Sequence, residues 1–176
     1  MKQTLPATDR RSRRIAALIE ALAAADVVVR ERARNELLDL GAVAVPALIA
    51  ALGEHDGTVR WEAAKALGQI GTPEAAPALV LALSDQRFDV RWLAAEGLIG
   101  LGDASIRPLL QALRAATLDD AWLREGALRV LRAQGGNAPG HPLAAVVAAL
   151  SGPEPSVSVP LAAYRALEAT AAASGE

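Results

Sequence analysis

Apolar positions along the chain recur with a helical rhythm, and that rhythm itself repeats. Val59 to Gly71 read VRWEAAKALGQIG and Val90 to Gly102 read VRWLAAEGLIGLG, with seven of thirteen positions identical at an offset of 31 residues. Arg30, Arg60, Arg91 and Arg124 hold the register. Three positions after each comes an alanine (Ala33, Ala63, Ala94, Ala127), and seven after comes a leucine (Leu37, Leu67, Leu98, Leu131). A fifth, weaker copy has Pro160 in place of the arginine, with Ala163 and Leu167 in phase. Between the copies run VPALIAAL (45–52), APALVLAL (76–83), RPLLQAL (107–113) and HPLAAVVAAL (141–150), each with a proline near its start. Proline suits the first turn of a helix, where its missing N–H costs nothing. RRIAALIEAL near the N-terminus is the same element without proline.

Breakers separate these runs at Gly41, Gly53, Gly71, Leu101–Asp103, Gln134–Gly140 and Ser151–Pro155. Asp26, Asp56, Asp120 and Ser156 stand four residues before the arginine position, where a side-chain oxygen can cap the second helix of each pair. The third copy departs, with Arg87 at that spot and Asp85 two residues earlier. The pattern therefore predicts an all-α chain of about five helix pairs, the last degenerate. The pairs span roughly 9–40, 42–70, 73–101, 103–133 and 139–172, forming one domain over 9–172 between tails at 1–8 and 173–176.

A helical wheel assigns faces. With Val59 at zero, Val59, Ala63, Ala66, Leu67 and Ile70 share a stripe near about 25°, while Trp61 lies near about 200°, opposite the core side. The same phase in every copy sets four rows on the far face. One position after the arginine come Glu31, Trp61, Trp92, Glu125 and Leu161; four after come Arg34, Ala64, Ala95, Leu128 and Tyr164. Five after come Asn35, Lys65, Glu96, Arg129 and Arg165; eight after come Leu38, Gly68, Ile99, Arg132 and Glu168. Stacked parallel helices would join these rows into one surface, apolar and aromatic in the middle and charged of both signs at its margins.

The unit D-x-x-V-R-x-x-A-x-x-A-L-G-x-I-G followed by x-P-A-L-x-x-A-L resembles the HEAT repeats, in particular the short HEAT-like kind named after phycobilisome lyases. The resemblance spans residues 10–170 and is strongest at 56–113. It implies a right-handed α-α superhelix whose arginine-bearing helices line the concave side. It also implies that Arg30, Arg60, Arg91 and Arg124 are structural, bonding aspartates or loop carbonyls of adjoining repeats. Proteins of this kind serve as binding scaffolds, chromophore lyases, metalloenzymes and regulators, so the resemblance alone does not choose a function.

Composition narrows the choice. There is no cysteine, which removes disulfides and thiolate metal sites, and the net charge of −2 does not suit a nucleic-acid or membrane polyelectrolyte. The opening residues lack the apolar region of a secretory signal, and the longest uncharged apolar stretch, Leu40–Gly53, is short for a bilayer span. The expectation is a soluble, cytoplasmic protein. His55 and His141 lie far apart in the array, and no metal-ligand spacing is present. Deoxyhypusine hydroxylases, HEAT-like metalloenzymes, carry His-Glu in the second helix. Here that pair reads Trp61-Glu62, Glu31-Arg32, Trp92-Leu93 and Glu125-Gly126, so their activity is not expected. Neither a catalytic residue nor a cofactor is expected.

Aromatic residues are 3% of the chain, so two tryptophans at one far-face position point to contact with a partner. The alternative is that each indole seals the seam with its neighbouring helix. The expected binding wall is Trp61 and Trp92 as anchors, with Ile99, Leu128 and Tyr164 extending the floor and Glu62, Lys65, Glu96, Arg129 and Arg165 setting charge register. Lys65 beside Glu96 suggests a solvated ion pair between repeats, and Trp122 is expected to pack at a helix start. The leading function is recognition of a partner protein or peptide. The rivals are a bilin-lyase-like component and weak nucleic-acid binding through Lys2, Arg10, Arg11, Arg13 and Arg14, the last disfavoured because no aromatic interleaves with them. Two charge-free helices, 41–53 and 75–84, leave room for a weak homodimer.

Overall fold

The computed structural model describes residues 7–115 and 120–174. Lys2, most of the N-terminal tail and the end of the C-terminal tail lie outside the described residues. The described residues form helices α1 (Ala7–Ala21), α2 (Val27–Leu40), α3 (Val45–Ala51), α4 (Gly57–Ile70), α5 (Ala76–Ala82), α6 (Phe88–Gly100), α7 (Ile106–Ala115), α8 (Ala121–Ala133), α9 (Ala144–Leu150) and α10 (Pro155–Ser174). Short 3-10 turns at Gly41–Ala44, Pro73–Ala75 and Gly102–Ser105 lead into α3, α5 and α7. Pro46 and Pro77 occupy the first turns of α3 and α5.

The repeated alanine and leucine explain how the helices stack. Leu37, Leu67, Leu98 and Leu131 are fully enclosed, as are Ala63, Ala94 and Ala127, and Ala33 is nearly so. Each leucine contributes about 1.5–3 kcal/mol by leaving water. The alanine one turn earlier keeps the facing helix close, since interaxial distance follows side-chain size. Leu48, Leu79, Leu109, Leu110 and Leu113 complete the same core from the outer helices.

The caps follow the acidic residues. Asp26 accepts from the Val28 N–H, Asp56 from the Thr58 N–H, and Asp120 from the N–H groups of Trp122 and Leu123. Ser156 is not a cap: α10 begins at Pro155, and Ser156 lies inside it. At the third pair Arg87 holds the capping position without a side-chain cap bond. Asp85 instead accepts from the Arg87 N–H at 2.8 Å, freeing its other oxygen for a neighbouring repeat.

The second helices α2, α4, α6 and α8 form one row, each packed on the next. The fifth pair breaks this order. Among the described residues α9 packs against α8, and α10 packs against α7 and α9 instead of continuing the row. Tyr164 and Arg165 are exposed on α10, so the wall expected to run through them ends at α8. The arginine position there is Pro160, within the helix, which supplies neither the guanidinium nor the N–H that hold the other copies in register. On the outer side Leu81 is 76% exposed and Val43 half-exposed, as the charge-free sequence of those helices allows. Among the described residues no helix is long and apolar enough to cross a membrane.

Candidate functional site

The arginine row is a set of clamps. Arg30 Nη1 donates to the carbonyls of Ala24 and Ala25, Arg60 Nη1 to those of Glu54 and His55, and Arg91 Nη1 to those of Asp85 and Gln86. Each guanidinium thus ties its helix to the loop before it. For Arg124 the equivalent positions, 118 and 119, lie outside the described residues. The remaining N–H edge reaches the next repeat. Arg60 grips Asp85 through Nε at 2.6 Å and Nη2 at 3.1 Å, and Arg30 Nε reaches Glu62 at 3.3 Å. Burial would raise the Asp85 pKa. The hydrogen bonds from Arg60 and from the Arg87 N–H, with the Arg60 charge, outweigh it and hold the carboxyl below its usual range.

Glu62 is not a groove residue. It is 2% exposed and takes Arg34 at 2.5 Å as well as Arg30, making an ionic cluster buried between the first two pairs. The wheel puts Arg34 on the far face with Ala64 and Ala95, yet all three are buried, so neighbouring second helices cover this row. Trp61 is half-buried against the core edge, with the Lys65 ammonium 4.8 Å from its ring centre. Lys65 shares a shallow cleft with Glu96, but the Glu96 carboxylate bonds Arg129 at 2.6 Å. Ile99 packs against the core, and its carbonyl accepts from the Gln134 side chain.

The open feature is a groove of about 450 Å³ between α6 and α8. Trp92 stands on one wall and Trp122 on the other, each 43% exposed, so Trp122 does more than pack at a helix start. Phe88 and Arg91 line it, with Ala95, Gly126 and Leu128, and Glu125, Arg129 and Arg132 complete the lining. Phe88 meets Trp92 at 6.1 Å between ring centres, tilted by 44°. Arg129 lies over Trp92 at 3.5 Å and Arg91 over Trp122 at 4.5 Å. Cationic planes on indole faces fix both partners, each such contact contributing about 0.5–2 kcal/mol.

At the α4–α6 seam a Cβ on Gly68 would sit 3.2 Å from the Gly97 Cα, so the two backbones nearly touch. One repeat on, the same two positions are Ile99 and Val130, the first packed against the core and the second buried in it. Phe88, Arg91, Ala95, Trp122, Glu125, Gly126 and Arg132 line the groove and stand outside the binding wall expected from the sequence.

Among the described residues no cluster of histidine and carboxylate side chains could hold a metal ion. What the groove offers is an apolar, aromatic recess rimmed by guanidinium groups. Arg10, Arg11, Arg13 and Arg14 are exposed on α1, and Arg14 pairs with Glu36 of α2 at 2.8 Å.

Stacked helical hairpins tied by a recurring arginine define an α-solenoid. A family model for HEAT repeats matches residues 15–99, just under half of the chain. Among solved structures it is similar to a chain in the complex of CpcE and CpcF of phycocyanin lyase from Nostoc sp. PCC7120. That alignment has 24% identity and a TM-score of 0.58, over 88% of this chain and 98% of that one, which shows a shared fold. An engineered protein aligns at 22% identity and a TM-score of 0.42, over 86% of this chain and 77% of its own. No curated protein sequence matches.

Proposed function

We propose that this protein is a recognition scaffold without catalytic activity, which holds a segment of another protein against the α6–α8 groove. The observation that carries the reading is the pair Trp92 and Trp122, each 43% exposed across one recess in a chain with few aromatics. Partly exposed tryptophan flanked by arginine is the residue chemistry of interface hot spots. The recess is large enough for small-ligand or side-chain insertion, which takes about 300–1,000 Å³. Compared with the wall expected from sequence, the anchors shift from Trp61 and Trp92 to Trp92 and Trp122, while Leu128 and Arg129 remain in it.

The test starts with affinity purification from the native cell, followed by reconstitution with the purified partner and calorimetry. Trp92→Ala with Trp122→Ala should weaken that association at least about a hundredfold, as loss of two hot spots does, with helicity unchanged. Full affinity in the double variant overturns the reading.

A second reading is favoured by the fold shared with a phycocyanin lyase chain: a lyase-like component that handles a bilin. It predicts a shift of the visible band when bilin is added to the purified protein. An unchanged spectrum argues against it.

A further inference from the structure

The groove has a sign. Its lining carries Arg91, Arg129 and Arg132 against the single carboxylate Glu125, three positive charges to one negative, on a chain whose net charge is −2. A recess charged against its own molecule, with apolar walls, attracts the opposite charge from its partner. The guanidinium planes lie on the rings, Arg129 on Trp92 and Arg91 on Trp122. A stacked guanidinium turns its N–H rim away from the ring, and that rim matches a carboxylate. Glu96 already shows the match: it bonds Arg129 Nη2 at 2.6 Å from the neighbouring helix, on the surface.

Resting on the scaffold reading above, we propose that the occupant is an acidic protein segment. One or two apolar side chains seat between Trp92 and Trp122, and flanking carboxylates meet Arg91 and Arg132. In the bound state a partner carboxylate also competes with Glu96 for Arg129. A single-stranded nucleic acid is the other anionic polymer that aromatics and arginines can hold. It is disfavoured because Arg129 and the tilted Phe88 ring border Trp92, and Arg91 covers a face of Trp122, so stacking bases would have to displace them.

The experiment measures fluorescence anisotropy of labelled peptides with the purified full chain. Three peptides share one Leu-Phe-Leu core and differ only in their flanks, which are aspartate, serine or lysine; labelled oligothymidine is the fourth probe. The aspartate peptide should bind at least about tenfold more tightly than the serine peptide, with an affinity that falls as salt rises. Arg132→Glu should weaken it about tenfold, and Glu96→Gln, by releasing Arg129, should tighten it about threefold. That pair of opposite signs is what a merely structural role for either residue would not produce. Equal or tighter binding of the lysine peptide, tighter binding of oligothymidine, or no binding of the aspartate peptide at about 1 mM overturns the proposal. None of those results touches the scaffold reading, which stands or falls on the tryptophan double variant and the native partner.

Discussion

Trp61 and Trp92 occupy the same position of successive repeats, and each has a cation beside its ring. Trp61 is partly buried against the core, next to the buried Glu62 cluster. Trp92 faces Trp122 across the groove between α6 and α8. The first half of the array is therefore closed by internal ion pairing, and the second half offers a recess with two exposed indoles. One repeat motif supports both, because the motif specifies each helix's own core stripe and leaves the seam to residues outside it.

The comparison can be broken hardest in the closed half. Glu62→Ala leaves Arg30 without that partner and leaves Arg34 a buried charge whose remaining acidic contact is the exposed Glu31 at 3.9 Å. It should cost about 3–5 kcal/mol in urea unfolding followed by circular dichroism. A loss under about 1 kcal/mol would mean that water reaches the cluster and the block is not closed.

Next, the isoleucine of position 99 can be copied onto its counterpart Gly68 one repeat earlier. Gly68→Ile places a branched side chain where the backbones nearly touch, an overpacking that costs about 1–3 kcal/mol. In a Trp92→Phe, Trp122→Phe background, acrylamide should then quench Trp61 more strongly than it does with Gly68 in place. Unchanged quenching would show that the glycine pair does not set the seam.

Acid should act on the clamp between the halves. The Asp85 carboxyl titrates lower in the folded chain than its ordinary value, so its contribution is present above about pH 4 and is lost as pH falls through the depressed value. Asp85→Asn should be less stable than the unmodified chain at neutral pH, with the gap closing as the solution is acidified. A gap constant with pH would contradict the Arg60–Asp85 clamp.

The smallest stability effect belongs to the open half. Trp92→Ala with Trp122→Ala should change unfolding free energy by about 1–2 kcal/mol, because both rings lie partly in water and each loses one cation–π contact. A much larger loss would make the two indoles structural, like Trp61.

Much of the architecture was legible before any coordinates. The arginine register, the alanine and leucine three and seven positions later, and the aspartate caps are local signals, each satisfied within one helix or its adjoining loop. Ser156 shows the limit of such a signal: it stands at the capping position, yet Pro155 opens the helix before it. Glu62 shows another, since its wheel position carries no hint that Arg30 and Arg34 from the previous repeat converge on it. Trp122 was legible as a residue at a helix start, but its exposure depends on how α8 packs beside α6.

Repetition along the chain was enough to determine stacked helical pairs, because hydrogen bonding and apolar spacing act over one or two turns of the same segment. Packing between segments decided the rest: which seam closes, which indole meets solvent, and where α10 lies. Those outcomes depend on pairs of side chains contributed by different helices, whose separation is set only when the whole array is assembled.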